Sequence, residues 1–466
     1  MRMKFNKSSQ LMLVSAASLL AAGLVTACGT LTVDFVFVTS SKAAGTNNYG
    51  EIDVFEINQQ SGFMRQIPTS PFPSGGRNPV AEAVSTDKTN LYVVNQDDNS
   101  IVQFVIGNDG KVYPQNTVNT PGIYPLAVAL NGTNLFVVDT FQPLPICSLA
   151  APCSGSIGVL PITVGPGSQP SDTLGSPVVN GELNYMPLCL TGYAPAITTD
   201  SNNVKVETFN CLGKENDVIV PTAVNVLASG NFVYVTAYDT TASPQAGYIF
   251  AFAVAPASTS AVASGGACPT SSDTIPAGSL PPGTLCPINN GAVPFAAGIH
   301  PSAIASDPAN AYVYVTDMTT GQVLGYAVAS GALAPLTSGA HGSNAFPSGD
   351  QPSAIVADPA YPFFYVANMQ DSTVTAYSMS SGALTNLGNY ATGIEPVAIG
   401  IDPSTNHFLY TANYLDNGVS GSVSGFELSP TAGTLLNSQN SPYLSNAQPT
   451  AVAAIPHGGS SNSSSK

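Results

Sequence analysis

Seven residues stand immediately before a recurring proline: Asn78, Tyr124, Val220, His300, Gln351, Glu395 and Gln448, with Arg77 and Asp350 one step further out. Imidazole, carboxylate and guanidinium are the groups that acid–base chemistry and charge stabilisation at a reacting carbonyl use. His300, Glu395 and Arg77 are therefore catalytic candidates, provided the fold gathers them. Asn78, Tyr124, His300, Gln351, Glu395 and Gln448 can equally hydrogen-bond a bound ligand, or stand as solvated loop residues. Glu82 is a fourth catalytic candidate. Three residues beyond its proline it occupies a place held elsewhere by Val128, Val224, Ile304, Ile355, Ile399 and Val452. A carboxylate in such a place has a raised pKa unless a cation pairs with it, and Arg77 is near enough in sequence to be that cation. Glu82 reads either as an acid or base facing a central channel or as a salt-bridged or solvated strand residue.

Other chemistry is sparse. The acids Asp97, Asp98, Asp139, Asp239, Asp317, Asp371 and Asp416 follow apolar runs at similar distances. They read as turn formers, since no Asp-x-Asp-x-Asp-Gly calcium loop is present. His300, His341, His407 and His457 are scattered, and neither a G-x-S-x-G elbow nor a phosphate loop occurs. No cofactor and no metal are expected. Cys147, Cys153, Cys189, Cys211, Cys268 and Cys286 form an even set without Cys-x-x-Cys spacing, so disulfides are favoured over metal ligation. Proximity favours the pairs 147–153, 189–211 and 268–286, although six cysteines allow fifteen pairings.

The elements that position these residues are repeats. An aromatic-Val run occurs seven times, from Phe35-Val36-Phe37-Val38 through Phe364-Tyr365-Val366 to Leu409-Tyr410-Thr411. An X-Pro step also occurs seven times, at Pro79, Pro125, Pro221, Pro301, Pro352, Pro396 and Pro449, each with Ala two residues later. The runs are short and β-branched or aromatic, so they read as strands in units of four. The chain opens with an aromatic-Val run that lacks an X-Pro strand before it and closes with an X-Pro strand that lacks a run after it. The last strand therefore completes the first sheet. The expected fold is all-β: a seven-bladed β-propeller of four-stranded antiparallel blades, spanning 35–457.

The YVAN, YVTD and YTAN cores, the V-x-x-Y/F strand after them and the S-G-x-L endings resemble YVTN-type repeats. Together they resemble the seven-bladed lactonase family, of 6-phosphogluconolactonase type. The resemblance implies the propeller fold and, as an activity, lactone hydrolysis. A phosphorylated lactone needs cations, and on the expected ligand face only Arg77 and the insertion lysines Lys205 and Lys214 qualify. An unphosphorylated lactone is the better expectation for an enzyme. A glycan, peptide or protein ligand is the expectation for a binding protein.

With the X-Pro strand as A, nearest the axis, and the next three as B, C and D, the D-to-A and B-to-C loops share one face, the top. Insertions near 140–155, 165–220 and 265–298 hold the cysteines and are expected to rise from that top face. Arg2, Lys4 and Lys7 precede the apolar Leu11 to Leu24 stretch, and Val25-Thr26-Ala27-Cys28 resembles a bacterial lipobox. The resemblance implies a signal peptide over 1–27, lipidation of Cys28 and a short tether over 28–34; separately, Gly458 to Lys466 reads as a flexible tail. The expected location is the cell envelope, with the membrane as a partner through Cys28. Charged residues make up 8% of the chain, against about 25% ordinarily. With a net charge of −16 and no basic stripe, nucleic acid is not an expected partner. The expected state is a monomer.

Overall fold

The aromatic-Val runs form the second strand of each of seven four-stranded antiparallel sheets. A computed structural model of the chain describes residues 32–41, 48–165, 172–179, 182–199, 205–211, 217–255, 283–288, 294–402, 408–416, 420–445 and 447–456. Blade 6 shows the unit plainly: strand A is Pro352–Ala357, B is Phe363–Asn368, C is Thr373–Ser380 and D is Ala383–Ala391. In blade 1 the N-terminal Thr32–Ser40 supplies strand B and the C-terminal Pro449–Pro456 supplies strand A, joined by a register running from Asp34↔Pro456 to Ser40↔Pro449. The expected closure of the ring is observed. The seven A strands touch one another in unbroken sequence around the axis. Most of their residues stay partly accessible.

The repeated residues have identifiable tasks between blades. The first aromatic of a run packs on a left-handed glycine in the next blade's C-to-D turn. Phe232 lies against Gly331, Tyr312 against Gly382 and Phe363 against Gly433, so close that a Cβ there would fall 2.4 to 2.6 Å from the ring. The third residue of the run reaches the same turn: Tyr234 Oη donates to Gly331 O at 2.9 Å and Tyr314 Oη to Gly382 O at 2.8 Å. Apolar residues alternating with these fill seven clusters between neighbouring blades, each buried side chain contributing about 1.5–3 kcal/mol of transfer free energy.

The Pro-x-Ala spacing also has a physical cause. In every blade the A–B register slips by one residue between the proline and the alanine. This is a β-bulge, which turns one residue out of the ladder. Where the bulged residue is Ser or Thr, its hydroxyl can bridge to the next blade: Ser302 Oγ to Pro352 O (2.5 Å), Ser353 Oγ to Pro396 O (2.6 Å) and Thr450 Oγ1 to Pro79 O (2.9 Å).

The insertions depart from the single top-face expectation. Residues 142–155 do form a B-to-C loop in blade 3, and Cys147 is bonded to Cys153. Beyond residue 165 the insertion is divided. Thr173–Leu174 and Tyr185–Pro187 are two halves of blade 3's strand D, with a small hairpin between them. The hairpin of Tyr193–Thr199 and Lys205–Cys211 then precedes blade 4's strand A, tied by Cys189–Cys211. The third insertion leaves strand C of blade 4 at Val254 and returns in strand D at Leu285. It is therefore a C-to-D connection, whose ends at Val254 and Leu285 lie on the bottom face rather than the top, because it joins strand C to strand D instead of leaving strand D for the next blade. Cys286 is disulfide-bonded, whereas Cys268, Cys28 and residues 1–31 lie outside the described residues.

Candidate functional site

The residues before the A-strand prolines stand at or just before the start of the A strands, at one end of the inner ring. All seven are partly buried. Four of them carry left-handed backbone: Asn78 (φ 52°), Tyr124 (φ 58°), Gln351 (φ 51°) and Glu395 (φ 54°). A proline next in sequence restricts that residue further, and glycine would take this conformation without steric cost.

Buried polar groups hold the loops that present the ring. Asn95, Asp139, Asp317, Asn368 and Asn413 each pair opposite an A-strand proline and are at most 1% exposed. Asp139 accepts from Gly122 N (3.0 Å), Asp317 from Ile299 N (3.0 Å) and His300 N (3.1 Å), and Asn368 from Gly349 N (3.1 Å). Burial pushes the Asp139 carboxyl up to about 7, against the pull of that Gly122 bond. Asp139 and Asp317 are thus buried strand-end anchors, and Asp317 is also the turn former that its sequence place implies, accepting from Thr319 N at 3.1 Å. The signal was available: a polar residue follows every aromatic-Val run in register, except Ala237 in blade 4. Asp98 and Asp371 act similarly from the turns, accepting from Arg77 N and Asp350 N at 2.7 Å each. Among the described residues no group of three acidic, His or Cys side chains is arranged to hold a metal.

His300, Glu395 and Arg77 are not brought together. They belong to blades 5, 7 and 2, two or three blades apart, and among the described residues no hydrogen bond or ion pair joins them. Arg77 Nη2 lies 2.6 Å from Asp98 Oδ1 and donates to Asp97 O, and Asn78 Nδ2 is bound to Gln96 and Asp97. Arg77 therefore does not serve as the cation for Glu82. The His300 ring packs on Tyr238, centroids 4.0 Å apart at 44°, and burial holds its imidazole below the usual range despite the nearby Asp317. Tyr124 packs edge-on against Phe141, centroids 6.1 Å apart, and its carbonyl accepts from Thr140 Oγ1 at 2.7 Å.

Glu82 does not face the channel. Its aliphatic counterparts belong to or pack against the clusters between blades, and the Glu82 carboxyl accepts the Thr39 hydroxyl of blade 1. Its stem is partly accessible, while Oε1 is buried without a partner. Burial pushes this carboxyl up to about 8, with the Thr39 hydroxyl and the Ala453 N–H pulling the other way. It belongs to the seam between blades 1 and 2. The Lys205 side chain, Lys214, His407 and His457 lie outside the described residues, and His341 sits in an exposed turn.

Comparison with known proteins agrees with this architecture. Residues 287–449 match the family model described as Lactonase, 7-bladed beta-propeller. No curated protein matches the chain. Among solved structures, a candidate 6-phosphogluconolactonase from Bacteroides fragilis superposes with a TM-score of 0.62 at 17% identity, over 92% of this chain and 99% of that one. A periplasmic gluconolactonase from Pseudomonas aeruginosa gives 0.58 at 17% identity, over 91% and 99%. At such identity the likeness shows the fold.

Proposed function

We propose that this seven-bladed, lactonase-type β-propeller binds an extracytoplasmic ligand at the top mouth of its axis. The observation that carries the reading is the left-handed backbone at Asn78, Tyr124, Gln351 and Glu395. Strained backbone at residues that bear a side chain clusters at ligand sites, and these four stand where a propeller is concave. Among the described residues Tyr124, Gln351 and Glu395 have no hydrogen-bonding partner for their side-chain tips. Export and lipidation at Cys28 complete the proposal and agree with the disulfides. Radiolabelled palmitate incorporation that is lost in Cys28→Ser would support the anchor; an unlabelled wild-type chain would refute it.

A second reading, hydrolysis of an unphosphorylated lactone, is favoured by the family match over 287–449. Against a phosphorylated substrate stands the engagement of Arg77 by Asp98. The deciding experiment is a hydrolysis panel of D-glucono-1,5-lactone, its 6-phosphate and simple γ-lactones on purified protein, with the Arg77, His300 and Glu395 triple alanine variant as control. Turnover lost in the triple variant establishes the enzyme. No turnover, with saturable ligand binding at the mouth, establishes the binding protein. Binding unaffected by every mouth variant removes both readings.

A further inference from the structure

The mouth is divided into two unlike halves. On blades 3, 4 and 5 it is aromatic: Tyr124 stands before Pro125, Tyr238 is paired directly opposite the ring residue Val220, and His300 packs on Tyr238. On blades 6, 7 and 1 it is amide and carboxylate: Gln351, Glu395 and Gln448. Blade 2 closes the circle with groups already committed to each other, Arg77 to Asp98 and Asn78 to Gln96 and Asp97. All six residues of the two halves are partly exposed, and among the described residues none of their side chains has a hydrogen-bond partner.

We infer that the mouth takes a neutral carbohydrate ring, with its C–H face on the Tyr124 and Tyr238–His300 side and its hydroxyls on Gln351, Glu395 and Gln448. This rests on the ligand-binding reading above and names the ligand class for that same site. Three physical features support it. Aromatic rings offer a large, rigid apolar face together with a polar tip. Planar amide and carboxylate groups present paired donors or acceptors that suit adjacent hydroxyls, and a site built to satisfy hydroxyls discriminates strongly against analogues that lack them. The charge balance opposes an anion: among the described residues the cation beside the ring, Arg77, is paired with Asp98, while Glu395 and a net charge of −16 repel negative ligands.

The test is calorimetric titration of the purified chain with cellotetraose, maltotetraose, chitotetraose and D-glucono-1,5-lactone, beside trigalacturonate as an anionic probe and tetra-alanine and tetra-lysine as peptide probes. At least one neutral saccharide should bind, and trigalacturonate should not. Tyr238→Ala should weaken binding about tenfold, while Tyr238→Phe, which keeps the ring and the fold, should stay within about threefold. Gln351→Ala should also weaken it, and Leu436→Ala, an exposed outer-strand residue, should not. Saccharide binding lost in Gln351→Ala but unchanged in Tyr238→Ala overturns the stacking half and leaves the mouth as a site. Peptide binding without saccharide binding overturns the carbohydrate assignment alone. Binding of no probe overturns the carbohydrate assignment; it leaves the mouth reading to stand or fall on the lactone panel and the mouth variants.

Discussion

The Tyr314 hydroxyl of blade 5 donates across the seam to the Gly382 carbonyl of blade 6 at 2.8 Å, and the Tyr312 ring covers that same glycine. Gly382 has φ +83°, and a Cβ there would stand 2.6 Å from the ring. Gly382→Ala should therefore cost about 1–3 kcal/mol, from left-handed strain together with overpacking. Tyr314→Phe should cost about 1 kcal/mol, since it leaves the carbonyl unmatched. Tyr365, its counterpart one blade on, has a buried hydroxyl with no partner, so Tyr365→Phe should be neutral or stabilising. Urea unfolding of the three variants checks this, and equal losses from the two tyrosines would refute the seam account.

The seams beside blade 1 hold acids that prefer to be neutral. Burial pushes Glu82 up to about 8, and burial with the adjacent Asp402 pushes Asp34 up to about 8. Asp34 is 0% exposed, and Tyr410 packs near it with a buried hydroxyl. In the unfolded chain both carboxyls return to their ordinary values near 4. Between those values and about 8 the folded state holds protons that the unfolded state has released. Stability is thus fully present at the acid end and falls as pH rises, by up to about 1.4 kcal/mol per pH unit for each group. Unfolding midpoints should be higher at pH 5 than at pH 8. Glu82→Gln, which keeps a hydrogen-bonding group for Thr39, should flatten the slope; an unchanged slope would show that Glu82 does not titrate there.

The Cys189–Cys211 bond closes a loop of 22 residues at the base of the Tyr193–Cys211 hairpin. Chain entropy assigns such a link about 3 kcal/mol. The hairpin meets the propeller through Tyr193, edge-on to Phe252 with centroids 6.4 Å apart, so the link restrains the insertion more than the blades. In Cys189→Ser/Cys211→Ser, limited proteolysis should cut within 190–215 while the unfolding midpoint of the propeller changes little. A large fall in the midpoint without new cleavage would show that the bond holds the blades themselves.

Seven in-register repeats made the ring, its closure and the mouth residues legible, because strand period and X-Pro spacing are local properties. What lay beyond the sequence was direction. Glu82 stands in an A strand whose side chains alternate between axis and seam, and only the bulge after Pro79 decides which it meets. Arg77 is five residues from Glu82 in the chain, yet the loop geometry gives it to Asp98. The third insertion leaves from the face opposite the expected one, and the sequence hides this because strand D of blade 4, Leu285–Pro287 and Phe295–Ala296, is two fragments too short to carry a period.

Gln351 offers the sharpest test of the mouth, because there the demands of fold and function oppose each other. Its φ of 51° before Pro352 is strained for any residue with a Cβ, and its neighbour Asp350 is fixed by Asp371 at 2.7 Å, so the backbone does not depend on the Gln side chain. Gln351→Gly should relieve the strain and raise stability by about 0.5–1 kcal/mol, less whatever unfolded-chain entropy glycine restores. The same change should weaken saccharide binding or lactone turnover, because it removes a free amide from the mouth. Thermal unfolding and titration on one preparation measure both effects. Higher stability with weaker binding is the expected pair. Higher stability with unchanged binding would mean that the left-handed residue is tolerated strain, and the mouth would lose its main support as a site.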